Sequence, residues 1–185
     1  DDIGASISSL RLMTEIIQDP RLNDAKKQEF YYKINETSQK IAQQLNEVIW
    51  SLNTQNDTLQ SFTEYIKLHC YSFFENSPIQ FTYIEQNEFD KSVAVNSTWR
   101  KNLFLSIKEI MNNALKHSSA TTVTLTIAVY NNIEICIVDN GIGILNNNPF
   151  GNGLKNISKR VEAVNGKLEI INNNGTTINI SCPIS

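Results

Sequence analysis

Glu109, Asn113, Lys116 and His117 stand at i, i+4, i+7 and i+8, a spacing that lines them along one stripe of a helix. A carboxylate, an amide oxygen and two nitrogen-bearing side chains in a row suit a magnesium-bound triphosphate. The hard cation takes oxygen ligands and keeps several waters, so the Asn113 amide with phosphate oxygens can suffice to hold Mg2+. Either Lys116 or His117 completes the stripe. Lys116 can neutralise phosphate charge, and Glu109 can accept a proton or orient a nucleophile. Taken alone, the same residues also read as a solvated helix end, where Lys and His favour the dipole.

Three further stretches come after it in order. Asp139 ends the apolar run Ile133–Val138 and precedes Asn140-Gly141-Ile142-Gly143. A carboxylate at the tip of a buried strand is costly unless it meets a donor. The exocyclic amine of adenine is such a donor, where guanine presents a carbonyl. Gly141 and Gly143 let the backbone turn tightly and approach a flat base. Asn-Gly is also a hairpin signal, but the residues after Gly143 do not alternate as a returning strand. Gly151 and Gly153 lead into a helix opening at Leu154, and N–H groups at a helix start, aided by its positive end, bind phosphate. The polar segment 144–150 reads as a short mobile lid ordered by nucleotide. Gly175-Thr176 opens the last strand, where the Thr176 hydroxyl can reach the base or a bridging water, although Thr is favoured in strands regardless. The ordered set predicts an ATP pocket.

The elements that must hold these residues divide the chain into unlike parts. Residues 1–19 and 24–53 have helical periodicity. Ile3, Ile7, Leu10, Met13 or Thr14, and Ile17 recur at three- and four-residue steps, and Pro20 ends the first helix. Phe30, Ile34, Thr37, Ile41, Leu45, Val48 and Leu52 step by 4, 3, 4, 4, 3, 4, a nearly heptad seam. A helix over 24–53 is about 45 Å long at ~1.5 Å per residue. It is predicted to pair with the first helix as an antiparallel hairpin that dimerises into a four-helix bundle; folding back on its own globular part is the alternative.

A connecting helix is expected over 57–76, with Leu59, Phe62, Ile66, Cys70 and Phe73 or Phe74 on one side, and His69 packing on a helix. Residues 98–117 form another helix, whose buried stripe of Trp99, Leu103, Ile107, Ile110 and Ala114 steps by 4, 4, 3, 4. A third covers 153–165. Strands are expected at 79–83, 123–129, 133–138, 167–171 and 176–182. Without regular βαβ spacing, this predicts an α+β fold with a mixed sheet and helices on one face. The expected domains are 1–55, a connecting helix over 56–75, and a catalytic part over 76–185.

The chain of 185 residues, 41% hydrophobic and 19% charged, has room for one good core and a helical appendage. Its net charge of −3 gives no electrostatic footprint for nucleic acid or an anionic membrane. No apolar run approaches the roughly 18 residues a membrane helix needs, and the first residues do not read as a signal peptide. Cys70, Cys136 and Cys182 lack CxxC spacing and read as small core hydrophobes in a reducing cytosol.

The helix motif, the Asp139–Gly143 run and the Gly151–Leu154 run resemble the N, G1 and G2 boxes of two-component sensor histidine kinases. The likeness is to the subfamily whose catalytic domain comes after a short dimerisation hairpin. It implies the Bergerat ATP-binding fold shared with Hsp90, MutL and gyrase, ATP and Mg2+ as cofactors, a homodimer, and a response-regulator receiver domain as partner. It also implies a cytoplasmic location, as a cytoplasmic protein or the cytoplasmic part of a membrane-anchored bacterial sensor. Asp1–Ser6 resembles the segment directly after the phosphoacceptor histidine in that subfamily, so the chain is expected to start one residue after its own acceptor, with Asp1 as the acid that tunes it. Ala5 stands where phosphatase-active relatives often carry Gln, and the short lid lacks a clear F box. An ATP-gated scaffold and an anti-sigma-factor-type serine kinase are the alternative functions.

Overall fold

A computed structural model of the chain describes residues 3–53, 57–144 and 152–184, which fall into two units, Asp1–Leu52 and Asn53–Ser185. The first unit is a helical hairpin. Helix α1 (Ile3–Ile17) stops just before Pro20, and α2 (Asp24–Leu52) starts where the Asn23 side chain accepts the Lys26 N–H at 2.9 Å. That bond satisfies one of the donors a helix start leaves free. In the turn between them Arg21 grips Asp19 through Nε, Nη2 and its backbone N–H, which holds the Asp19 carboxyl below its ordinary range. The two helices pack on each other. Phe30, Ile34 and Thr37 of the predicted seam are half-buried and Ile41 is buried. Leu45 and Val48 instead lie open, 45% and 44% exposed. The reason is length: α1 has 15 residues and α2 has 29, so α1 can cover only part of its neighbour.

The second unit is an α+β layer. Its strands are β1 (Gln80–Glu85), β2 (Thr122–Val129), β3 (Asn132–Asp139), β4 (Lys167–Asn172) and β5 (Thr176–Pro183), and its helices α3 (Leu59–Phe74), α4 (Ser97–His117) and α5 (Asn152–Glu162). The sheet order is β1-β2-β3-β5-β4, with β1 parallel to β2 and every other pair antiparallel. The sheet is therefore mixed, as expected. Alternation sends Val123, Leu125, Ile127, Ile133, Ile135, Ile137, Ile178 and Ile180 into the core. Thr124, Thr126, Asn179 and Ser181 occupy the other face, half-buried. The helices supply the remaining core from one side: α3 packs on β1 and α4, and α5 on α4 and β4.

Thr58 caps α3 and Asn96 caps α4 through their side chains. The expected α4 stripe is buried throughout. Trp99 meets Phe62 edge-on with ring centroids 4.8 Å apart, and its Nε1 donates to the Pro183 carbonyl at 2.8 Å. His69 stacks against Tyr65 and Phe73 and meets Phe104 edge-on, a packing role as predicted. Arg100, fully buried, donates through Nη2 to Asp57 Oδ1 at 2.5 Å and to the Asn53 carbonyl at 3.2 Å. Cys70 and Cys182 are buried and Cys136 is half-buried on the outer sheet face. Burial pushes the Cys70 thiol up to about 12 and Cys182 up to about 11, so these thiols stay neutral.

Candidate functional site

Helix α4 delivers its polar stripe to the tips of β3 and β5. Between them, closed by the turn after β3 and the start of α5, lies a cavity of about 470 Å³. Glu109, Asn113, His117, Asp139, Gly143, Gly153, Leu154 and Thr176 all line it, beside Ile110, Ala114, Ser118, Ile144 and Ile178. Lys116 is exposed and stands outside this lining, as does Gly141. Asp1, Gly151 and residues 145–150 of the expected 144–150 lid lie outside the described residues.

Asp139 closes β3 and is only 8% exposed. One of its oxygens accepts the Gly141 N–H at 2.9 Å. Register places Val123 on one side of it and Thr176 on the other. Thr176 is itself buried at the start of β5, so a carboxylate and a hydroxyl face the cavity from adjacent strand ends.

The turn after Asp139 is fastened through Asn140 and Ile142. The Asn140 side chain accepts the Thr121 and Thr122 N–H groups and donates to Thr121 Oγ1, each at 2.9 Å. Ile142 N–H donates to the Ser118 carbonyl at 2.8 Å, and Ser118 in turn caps α4 by donating to the Ala114 carbonyl. A methyl group on Gly141 would lie 2.1 Å from that Ser118 carbonyl oxygen. Gly141 is therefore required by contact with the end of α4. Gly143 has φ +74°, a left-handed conformation that favours glycine. A methyl there would meet Asn172 Oδ1 at 1.9 Å.

The opposite wall is built by α5 against α4. A methyl on Gly153 would lie 2.4 Å from Glu109 Oε1 and 3.7 Å from Asn113 Nδ2. The polar ends of Glu109 and Asn113 thus converge on the first turn of α5, whose leading N–H groups lack intrahelical partners. This wall suits anionic oxygen, and the Asp139–Thr176 wall suits a polar heterocycle. No group of three or more His, Cys, Asp or Glu capable of holding a metal exists among the described residues. A cation here would complete its shell with oxygens from its ligand and from water, which fits Mg2+ on a triphosphate at the Asn113 amide.

Asn140, Ser118 and Asn172 hold the site together, and none was singled out from the sequence. Runs of Asn mark loops, and a single sequence does not show which backbone groups their amides pair with. Ile110 and Ala114 were expected as core and serve as both core and cavity wall.

The family of histidine kinase-, DNA gyrase B- and HSP90-like ATPases matches residues 100–185. Sensor histidine kinase YvfT of Bacillus subtilis (strain 168) is 26% identical over 186 residues, covering 100% of this chain and 48% of its own length. Sensor histidine kinase DesK of the same organism is 33% identical over 84 residues, 44% of this chain and 23% of its own. The chain thus spans about half of one relative and less of the other. Among solved structures, the histidine kinase domain from Erythrobacter litoralis EL346 blue-light activated histidine kinase covers 98% of this chain and 94% of its own, with TM-score 0.63 at 15% identity. Acinetobacter baumannii histidine kinase AdeS covers 97% and 95%, with TM-score 0.60 at 13% identity. These last two likenesses concern the fold.

Proposed function

We propose, from the match of residues 100–185 to the model of histidine kinase-, DNA gyrase B- and HSP90-like ATPases, that the chain is the ATP-dependent core of a two-component sensor histidine kinase. The observation that carries this reading is a cavity with two chemically distinct walls. Asp139 and Thr176 stand on one, and Glu109 and Asn113 meet Gly153 on the other.

Asp139 accepts the exocyclic amine of adenine, with Thr176 beside it on the base or a bridging water. Ile110, Ala114 and Ile178 give the base an apolar surface and exclude water from it. Asn113 would hold Mg2+, which when bound would neutralise phosphate charge. Gly153, Leu154 and the α5 N-terminus receive phosphate oxygens, and His117, with Lys116 at the rim, adds donors. Phosphoryl transfer needs positioning and charge stabilisation more than covalent help from the protein. The bond from the γ-phosphorus to the β,γ-bridging oxygen breaks as an imidazole nitrogen bonds to the γ-phosphorus. ADP keeps the electron pair, and Glu109 takes the proton or orients the ring. The phosphoryl group then passes to an aspartate of a response-regulator receiver domain.

The open Leu45–Val48 face of α2 supports a homodimer through the hairpin. No described helix is long and apolar enough to cross a membrane. The test is a chain extended upstream to include a histidine before Asp1, incubated with γ-labelled ATP and Mg2+. Acid-labile, alkali-stable label on that histidine is the expected result. An extended chain that binds ATP and stays unlabelled is a nucleotide-gated scaffold instead.

A further inference from the structure

Asn172 ends β4, on the edge strand of the sheet. Register places it opposite Thr176, and Thr176 opposite Asp139. One row across three strands therefore runs from the cavity's carboxylate, through its hydroxyl, to an exposed amide at the edge. The amide reaches back over the row. Its Nδ2 donates to the Ile144 carbonyl at 2.8 Å, and its Oδ1 accepts the Ile144 N–H at 3.1 Å. Both backbone groups of one cavity-lining residue are thus paired by a single side chain. The same Oδ1 occupies the place a Cβ on Gly143 would take, 1.9 Å away. The β4–β5 turn is shaped for this: Asn174 has φ +47° and Gly175 φ +122°, and Asn173 N–H closes on the Gly175 carbonyl at 3.1 Å. A methyl on Gly175 would lie 2.0 Å from the Asp139 carbonyl oxygen, so this turn touches the Asp139 backbone directly.

From this geometry we infer that Asn172 is a positioning residue for nucleotide binding, acting through the Gly143–Ile144 turn. It contacts no ligand in this scheme. It supplies the turn with the two hydrogen bonds that an extended strand neighbour would otherwise give, and so fixes where Ile144 stands relative to Asp139. An Asn suits the task because its amide carries one donor and one acceptor side by side, matching a peptide group. Asp keeps only the acceptor, and Ala keeps neither. The inference rests on the nucleotide reading above.

Calorimetric titration of the full chain with a nonhydrolysable ATP analogue and Mg2+ tests it. Asn172→Ala is expected to weaken binding about tenfold, as loss of two modest hydrogen bonds implies. Asn172→Asp should bind no better than Asn172→Ala, because its second carboxylate oxygen would face the Ile144 carbonyl oxygen that Nδ2 now donates to. The unfolding midpoint of the nucleotide-free protein should stay within a degree or two, because the side chain is exposed and outside the core. A merely structural residue would move the midpoint and leave affinity alone. The two sites should also couple: Gly143→Ala must displace Oδ1 in the unsubstituted chain but not in Asn172→Ala, so its cost in affinity is smaller in that background. Affinity within twofold for Asn172→Ala, or full additivity with Gly143→Ala, overturns the inference alone. An unsubstituted chain that binds no nucleotide overturns the nucleotide reading and this inference together, and its own flat titration identifies that case.

Discussion

Replacing Asp139 by Asn changes one atom at the cavity wall and little else. The Asp139 carboxylate is 8% exposed, and its Oδ1 accepts the Gly141 N–H at 2.9 Å. An amide oxygen can keep that bond, so the turn and the fold should survive. The other oxygen becomes an NH2 group, a donor facing the amine of adenine, also a donor. A hydrogen bond to a charged group contributes about 1.5–3 kcal/mol, and a buried donor left unpaired costs about 1–3 kcal/mol more. A total near 3–4 kcal/mol corresponds to a loss of roughly 10²- to 10³-fold in affinity. Titration of both proteins with a nonhydrolysable ATP analogue measures this directly, with thermal unfolding as the control for fold. The ratio of ATP to GTP analogue affinity should fall as well, since the new N–H can donate to the guanine carbonyl. Affinity within threefold of the unsubstituted chain, with unfolding unchanged, would refute the placement of the base at Asp139.

Other perturbations probe other parts of the structure. Gly153→Ala sets a methyl 2.4 Å from Glu109 Oε1; the flexible carboxylate can swing aside, so stability should change by under about 1 kcal/mol. Histidine phosphorylation in the extended chain should slow about tenfold or more, because Glu109 leaves its position and the methyl crowds the wall that receives phosphate. Asp57→Ala should destabilise by about 3 kcal/mol in urea unfolding, and by more than Arg100→Met. The first leaves a fully buried guanidinium without its carboxylate; the second leaves a carboxylate that is 34% exposed to water. Glutamate at both Leu45 and Val48 should turn a dimer into a monomer in light scattering, with helix content retained. With iodoacetamide at pH 8, Cys136 should react first. Cys70 and Cys182, whose thiolates form only at pH well above the ordinary range because of burial, should wait for denaturant.

The α4 stripe was legible because a 3.6-residue period is a direct imprint of burial on one side. The same spacing placed Glu109, Asn113 and His117 on the cavity side. Asp139 was legible because a carboxylate closing an apolar strand contradicts its surroundings unless it has a task. The features that stayed hidden depend on distance along the chain. Asn172 meets Ile144 across 28 positions and Trp99 meets Pro183 across 84, and no local pattern records either. Gly141 shows the same limit: the sequence called for glycine at that turn but did not show that the end of α4 packs against it. In the hairpin, periodicity named an apolar seam but not which helix covers which stretch, since that depends on the unequal lengths of α1 and α2.

The strand order carries a consequence for how the molecule is made. β5, emerging after all its neighbours, slots between β3 and β4. Until those eight residues leave the ribosome, both flanking strands wait with bare edges, and Asp139 has no Thr176 beside it. Competence to take up nucleotide is thus withheld from every nascent chain shorter than the full sheet. A message broken before that point yields a product that is inert, exposed along two strand margins, and suited to capture by the cell's quality control.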